Sequence, residues 1–109
     1  MRSVLIVDDE PGMRAGLSEV LGRGGFTVEQ AASAEEALAR LGERSGQGGQ
    51  GAMDLLVTDL RLPGMSGLEL IRAARQAGSQ MPAIVITAHG TVEDAVAAMK
   101  LGAFDFLTK

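Results

Sequence analysis

Four apolar residues in a row, Val4, Leu5, Ile6 and Val7, stand near the start of the chain. Their branched side chains, followed at once by acids, predict a short buried strand. The period then changes. Met13, Leu17, Val20 and Leu21 recur at helical spacing and mark the inward face of a helix. Pro11 suits its first turn, where a missing N–H costs nothing, and Gly22, Gly24 and Gly25 end it. Residues 26–31 return to a strand pattern. Ser33 followed by Glu36 reads as a capping box, opening a short helix with Ala37, Leu38 and Leu41 inward. Residues 54–59 predict a third strand. Pro63 and Gly64 make a turn, and Ser66 with Glu69 caps a third helix carrying Leu68, Leu70 and Ile71. Residues 83–87 form a fourth strand. Thr91 and Asp94 open a fourth helix, for which the spacing predicts Val92, Ala95, Val96 and Met99 inward. Gly102 stops it, and residues 103–107 make a fifth strand.

Strands alternating with helices predict an α/β fold with a parallel sheet. Right-handed crossovers place helices on both faces. For five strands the common doubly wound, flavodoxin-like order is 2-1-3-4-5, with a switch point between the first and third strands. One stretch, 42–53, interrupts the alternation. Residues 45–51 hold only Ser, Gly and Gln, the composition of a flexible linker, so a surface-loop insertion is expected there.

The bulk numbers narrow the class. A chain of 109 residues is one domain. With 46% hydrophobic and 22% charged residues it has the make-up of a soluble globular protein. Three Phe and no Trp or Tyr leave the core to Leu, Val, Ile, Ala and Met. The absence of Cys excludes a disulfide framework, a thiolate metal site and cysteine catalysis. A net charge of −4 without basic runs is unsuited to gripping a nucleic-acid backbone. No apolar run approaches membrane-spanning length, and the first ten residues lack the pattern of a signal peptide. A cytoplasmic location is expected.

The chemistry collects at the strand ends. In doubly wound sheets ligands bind beyond the carboxyl ends of the strands at the switch point. The first strand ends in Asp8, Asp9 and Glu10, and the third ends in Asp59. The fourth ends in Thr87, and the fifth runs toward Lys109. Two like charges ~4 Å apart repel by about 4 kcal/mol at an effective dielectric of ~20. Crowded carboxylates therefore protonate, spread or hold a cation, and hard oxygen ligands at a partly open site suit Mg²⁺. Taken singly, each residue has a plainer use. Asp8 and Asp9 could cap the first helix, Asp59 could be a turn residue, Thr87 a strand residue and Lys109 a solvated end.

Together these residues resemble the receiver domains of two-component response regulators. The resemblance is carried by residues 4–10 (VLIVDDE), 57–67 (VTDLRLPGMSG) and 86–88 (ITA), and by Lys109, and it spans nearly the whole chain. It implies that Asp59 is the phosphoacceptor and that Asp8 and Asp9 hold Mg²⁺, with Asp9 the direct ligand and the Arg61 main-chain carbonyl a further one. It implies that Thr87 bonds a phosphoryl oxygen, that Lys109 pairs with the phosphate, and that Phe106 is a switch aromatic coupled to Thr87. His89, the only histidine, would sit where it could tune dephosphorylation or simply lie in a solvated loop. Residues 87–109 look most like the NtrC-type subgroup, whose receivers usually precede an ATPase module acting on sigma-54 RNA polymerase and a DNA-binding module. The sequence departs from the family pattern in its long 42–53 loop. It also lacks the proline and fifth helix expected after Lys109, so a trimmed fragment is expected.

The function so implied is a phosphorylation-dependent switch. It would be fed by a sensor histidine kinase and act on a downstream output, transcription in the first instance, with a homodimer as a further arrangement. It would not be a multiple-turnover enzyme. Three other readings stay open at this point. An aspartyl-phosphate phosphatase would want an Asp-x-Asp pattern after the first strand. A flavin binder would want a Ser/Thr/Gly phosphate loop there. A receiver-like interaction module would never be phosphorylated.

Overall fold

The computed structural model describes residues 2–45, 53–88 and 90–108, with the side chains of 43–45 left aside. His89, Lys109 and the expected flexible loop at 46–52 lie outside the described residues. The elements are β1 (Ser3–Val7), α1 (Pro11–Arg23), β2 (Thr27–Ala31), α2 (Ala34–Ser45), β3 (Leu55–Thr58), α3 (Gly67–Gln76), β4 (Ala83–Thr87), α4 (Val92–Lys100) and β5 (Asp105–Thr108). The five strands are all parallel, in the order β2-β1-β3-β4-β5. This is the flavodoxin-like arrangement, and among the described residues it carries four helices.

Two apolar layers fill the faces of the sheet. Leu5, Val7, Leu56 and Val85 meet Leu70, Ile71 and the small residues Ala34, Ala37 and Ala98 from α2, α3 and α4. On the opposite face Val4, Ile6 and Val57 pack beneath Leu17 and Leu21 of α1. Burial of both faces is why β1 reads as a continuous apolar run rather than an alternation.

The helix starts follow the local signals. Pro11 stands in the first turn of α1, and Gly24 caps its end. Ser66 Oγ accepts from Glu69 N at 3.2 Å while Glu69 accepts from Ser66 N at 3.4 Å. Thr91 and Asp94 repeat that reciprocal box on α4, with both bonds at 3.1 Å. On α2 Ser33 Oγ accepts from Glu36 N, but the Glu36 carboxylate reaches back one residue further, to Ala32 N at 3.1 Å. That backbone bond, with Arg40 alongside, holds the Glu36 carboxyl below its ordinary value.

Four expectations are corrected. Helix α2 does not stop at Gly42 but continues to Ser45; a single glycine costs a helix only about 1 kcal/mol. Met53, expected in the loop, is buried in the core. The inward face of α4 is not the one its large residues define. Val92 is 80% exposed and Met99 52%, with Val96 also exposed, while Ala98 is fully buried. The helix turns its small side chains to the sheet and its large apolar ones outward. Val20 of α1 is likewise exposed.

With so little apolar anchoring, α4 is held at its end by Arg75. From the last turn of α3 its Nε donates to Leu101 O at 3.1 Å and Nη2 to Gly102 O at 3.3 Å. Nη1 donates to Met81 O at 2.8 Å and Ser79 O at 3.2 Å. One guanidinium thus closes the C-terminal end of α4 and the connection from α3 to β4 together. Replacing Arg75 by Ala should lower unfolding free energy by about 2–3 kcal/mol, since hydrogen bonds to a charged donor are lost from partly buried carbonyls. Lys should recover only part of it, lacking the planar fork. Urea denaturation checks this, with the exposed Arg72→Ala as a near-neutral control.

Candidate functional site

Strand register builds the site. Val7 pairs with Thr58 across β1 and β3, so the residues that follow leave the sheet side by side. Asp59 N donates to Val7 O at 2.9 Å, and Asp8 N donates to Ala31 O at 3.2 Å. Each bond carries the parallel pairing one step past the strand and fixes the direction in which the carboxylate emerges. Carboxylate oxygens of Asp8, Asp9 and Asp59 all come within 4.8 Å of one another. Asp8 and Asp59 are buried, at 3% and 5% exposure, and Asp9 is open to solvent.

The neighbouring backbone orients these groups. Asp8 Oδ1 accepts from Glu10 N at 2.9 Å, which turns the chain into α1. The N-cap of that helix is Glu10, with no side-chain cap, so neither Asp8 nor Asp9 is its N-cap residue. Asp59 Oδ1 accepts from Arg61 N at 3.2 Å. Behind Asp59 the main chain is gripped on two sides. Thr58 Oγ1 donates to the Asp59 carbonyl at 2.9 Å, and Gly67, whose N–H bonds Leu60 O at 3.0 Å, lies against the same carbonyl. A Cβ on Gly67 would overlap that oxygen.

Thr87, buried at the end of β4, lies two residues beyond Val85, the partner of Thr58. Phe106 pairs with Val85 from the other side, on β5, and is half-buried against the core. Thr87 and Phe106 therefore border the same corner of the sheet as Asp59. Arg61 is exposed, and its guanidinium stands 3.8 Å from Asp94 Oδ2 at the start of α4. The predicted residues Lys109 and His89 lie outside the described residues.

Three supporting residues escaped the sequence reading. Arg14 Nη1 donates to Asp8 O at 2.6 Å. Glu35 of α2 accepts from Met65 N at 3.3 Å and crosses to the turn after β3, where Gly64 has φ +74°. Gly67 permits the close approach just described. Only Gly67 carried a signal, as a second glycine shortly after Pro63 and Gly64.

Three hard oxygen donors at a partly open corner fit a small divalent cation such as Mg²⁺. They do not fit a flavin phosphate, which like charges would repel.

Comparisons with known proteins bear on the family. The model of the response regulator receiver domain matches residues 4–109. The response regulator protein PilR of Pseudomonas aeruginosa is 42% identical over 108 residues, covering 99% of this chain and 23% of PilR. The transcriptional regulatory protein FixJ of Rhizobium meliloti is 46% identical over 108 residues, covering 98% of this chain and 49% of FixJ. The chain thus spans half or less of these relatives, which include both NtrC-type regulators and others. A response regulator receiver domain from Clostridium thermocellum superposes with a TM-score of 0.89 at 30% identity, covering 100% of this chain and 82% of that one.

Mg²⁺ should stabilise the fold by linkage, by about 2.7 kcal/mol at a concentration 100 times the dissociation constant, and so raise the unfolding midpoint. Asp9→Ala should lose most of that gain. Thermal unfolding with and without Mg²⁺ checks this, and an undiminished gain in the variant would put the metal elsewhere.

Proposed function

The chain belongs to the response regulator receiver domain family, and from that premise we propose that Asp59 is its phosphoacceptor and that a sensor histidine kinase is the donor. One observation carries the reading. A buried carboxylate stands at the carboxyl end of the central strand, within 4.8 Å of two more carboxylates from the neighbouring strand.

In the transfer an Asp59 carboxylate oxygen forms the new P–O bond in line with the departing imidazole. The P–N bond of the phosphohistidine breaks, and its electron pair stays on the ring nitrogen. Little covalent chemistry is asked of the protein, so positioning and neutralisation of charge do the work. Asp8 and Asp9, with Asp59 itself and the Arg61 carbonyl, would hold Mg²⁺, which when bound supplies positive charge beside the phosphoryl oxygens. The Arg61 N–H bond on Asp59 Oδ1 keeps one carboxylate oxygen engaged and orients the other. The Thr58 and Gly67 contacts on the Asp59 carbonyl keep the backbone from recoiling during attack.

Thr87 would donate its hydroxyl to a phosphoryl oxygen, and Lys109 would pair with the phosphate. The acyl phosphate ends by hydrolysis, so the domain is spent and recharged and does not turn over substrate. The phosphoryl group biases a pre-existing equilibrium between two arrangements, which Phe106 and α4 pass on. Downstream ATPase and DNA-binding modules of the NtrC kind and a cytoplasmic setting complete the proposal, with a homodimer as one form of the activated state.

Incubation with acetyl phosphate and Mg²⁺ should add the mass of one phosphate, seen by intact-mass spectrometry. The gain should vanish in Asp59→Asn. A phosphate that persists in that variant would sink the assignment.

A further inference from the structure

Gly90 stands in the connection between β4 and α4. Space gives a reason for a glycine there. A Cβ at this position would lie 2.6 Å from both Cε1 and Cζ of Phe106 and 2.9 Å from Cγ2 of Thr87. Carbon atoms do not approach so closely without repulsion. The end of the Phe106 ring thus fills the place a side chain on residue 90 would take, with the Thr87 methyl beside it.

We infer that Gly90 is a positioning residue for the switch, the clearance that lets the Phe106 ring lie beside Thr87. Of the two side chains a Cβ would strike, Thr87 is short and buried at the end of β4, with little room to yield. The Phe106 ring is the far end of a half-buried side chain on the edge strand β5 and yields by rotation about χ1. A methyl at residue 90 therefore ejects the ring rather than disrupting the fold. This inference rests on the proposed output route through Thr87 and Phe106. It adds that the connection after β4 decides whether the inward ring position is open.

The test uses the whole chain, unphosphorylated, with labelled Thr methyls and Phe rings. The parent should show a nuclear Overhauser effect between the Phe106 ring and the Thr87 methyl, and Gly90→Ala should lose it. The destabilisation caused by Gly90→Ala in urea should be smaller in a Phe106→Ala background, where only the 2.9 Å contact with Thr87 remains. An Overhauser effect that persists in Gly90→Ala, or an equal destabilisation in both backgrounds, overturns the inference. Should Gly90→Ala fail to fold, folding of Gly90→Ala/Phe106→Ala supports it and failure of both overturns it. Beryllofluoride with Mg²⁺ separates the underlying reading. Amide exchange across α4 should respond to it less in Gly90→Ala than in the parent. A lost Overhauser effect with an unchanged α4 response upholds the clearance and overturns the output route.

Discussion

Everything at the functional edge depends on the pairing of β1 with β3. Residue pairs from Val4 with Leu55 to Val7 with Thr58 run in parallel register, and the bond from Asp59 N to Val7 O extends it. Parallel strands bring their carboxyl ends to one side, and the switch point leaves that side uncovered by a crossover. Three carboxylates then have to share a corner. Their repulsion, about 4 kcal/mol for one pair at ~4 Å and an effective dielectric of ~20, is a sizeable share of what a small domain has to spare. The apolar layers that clamp β1 from both faces provide the compensating stability. Core and site are thus opposed terms of one balance, and a cation or a phosphoryl group changes the second without touching the first.

Much of this was legible in the sequence because its signals are local. Four branched residues before an acid pair, two capping boxes and a Pro in a first turn each state their own element. The common doubly wound order for five strands then places Asp8, Asp9, Asp59 and Thr87 on one edge without any contact being known. Where the reading failed, the deciding fact was not local. Val92, Val96 and Met99 form a regular helical stripe, and periodicity says that a stripe exists but not what covers it. Ala98 is the residue buried against the core, and the stripe is left outside. The loop expected from residue 42 begins later, because α2 runs through Gly42 to Ser45. Arg14, Glu35 and Arg75 act through long side chains on distant main-chain atoms, which no spacing rule encodes.

The same facts say how α4 is attached. A helix that buries little apolar surface depends on its polar ends, and the two ends of α4 differ. At the C-terminal end Arg75 makes four bonds to carbonyls of Ser79, Met81, Leu101 and Gly102. These fasten the helix to α3 and to the start of β4. At the N-terminal end the capping box is internal to the helix, and among the described residues an ion pair between the exposed Arg61 and the half-buried Asp94, at 3.8 Å, reaches toward the loop after Asp59. A pair of that kind contributes about 0–1 kcal/mol. The first turn of α4 is therefore the end that can move.

That asymmetry gives the signal a direction. The movable end of α4 is the one nearest Asp59, Thr87 and the Phe106 ring, while the fixed end lies by Gly102, where φ is +87° and the chain turns toward β5. If Asp59 is the phosphoacceptor as proposed, a displacement begun at its corner would swing the helix about the Arg75 anchor instead of translating it. Rotation about a fixed end carries the exposed Val92 and Val96 further than Met99, which sits near the anchor. The apolar stripe that periodicity assigned to the core is, in this geometry, the surface whose placement changes most when the corner is altered.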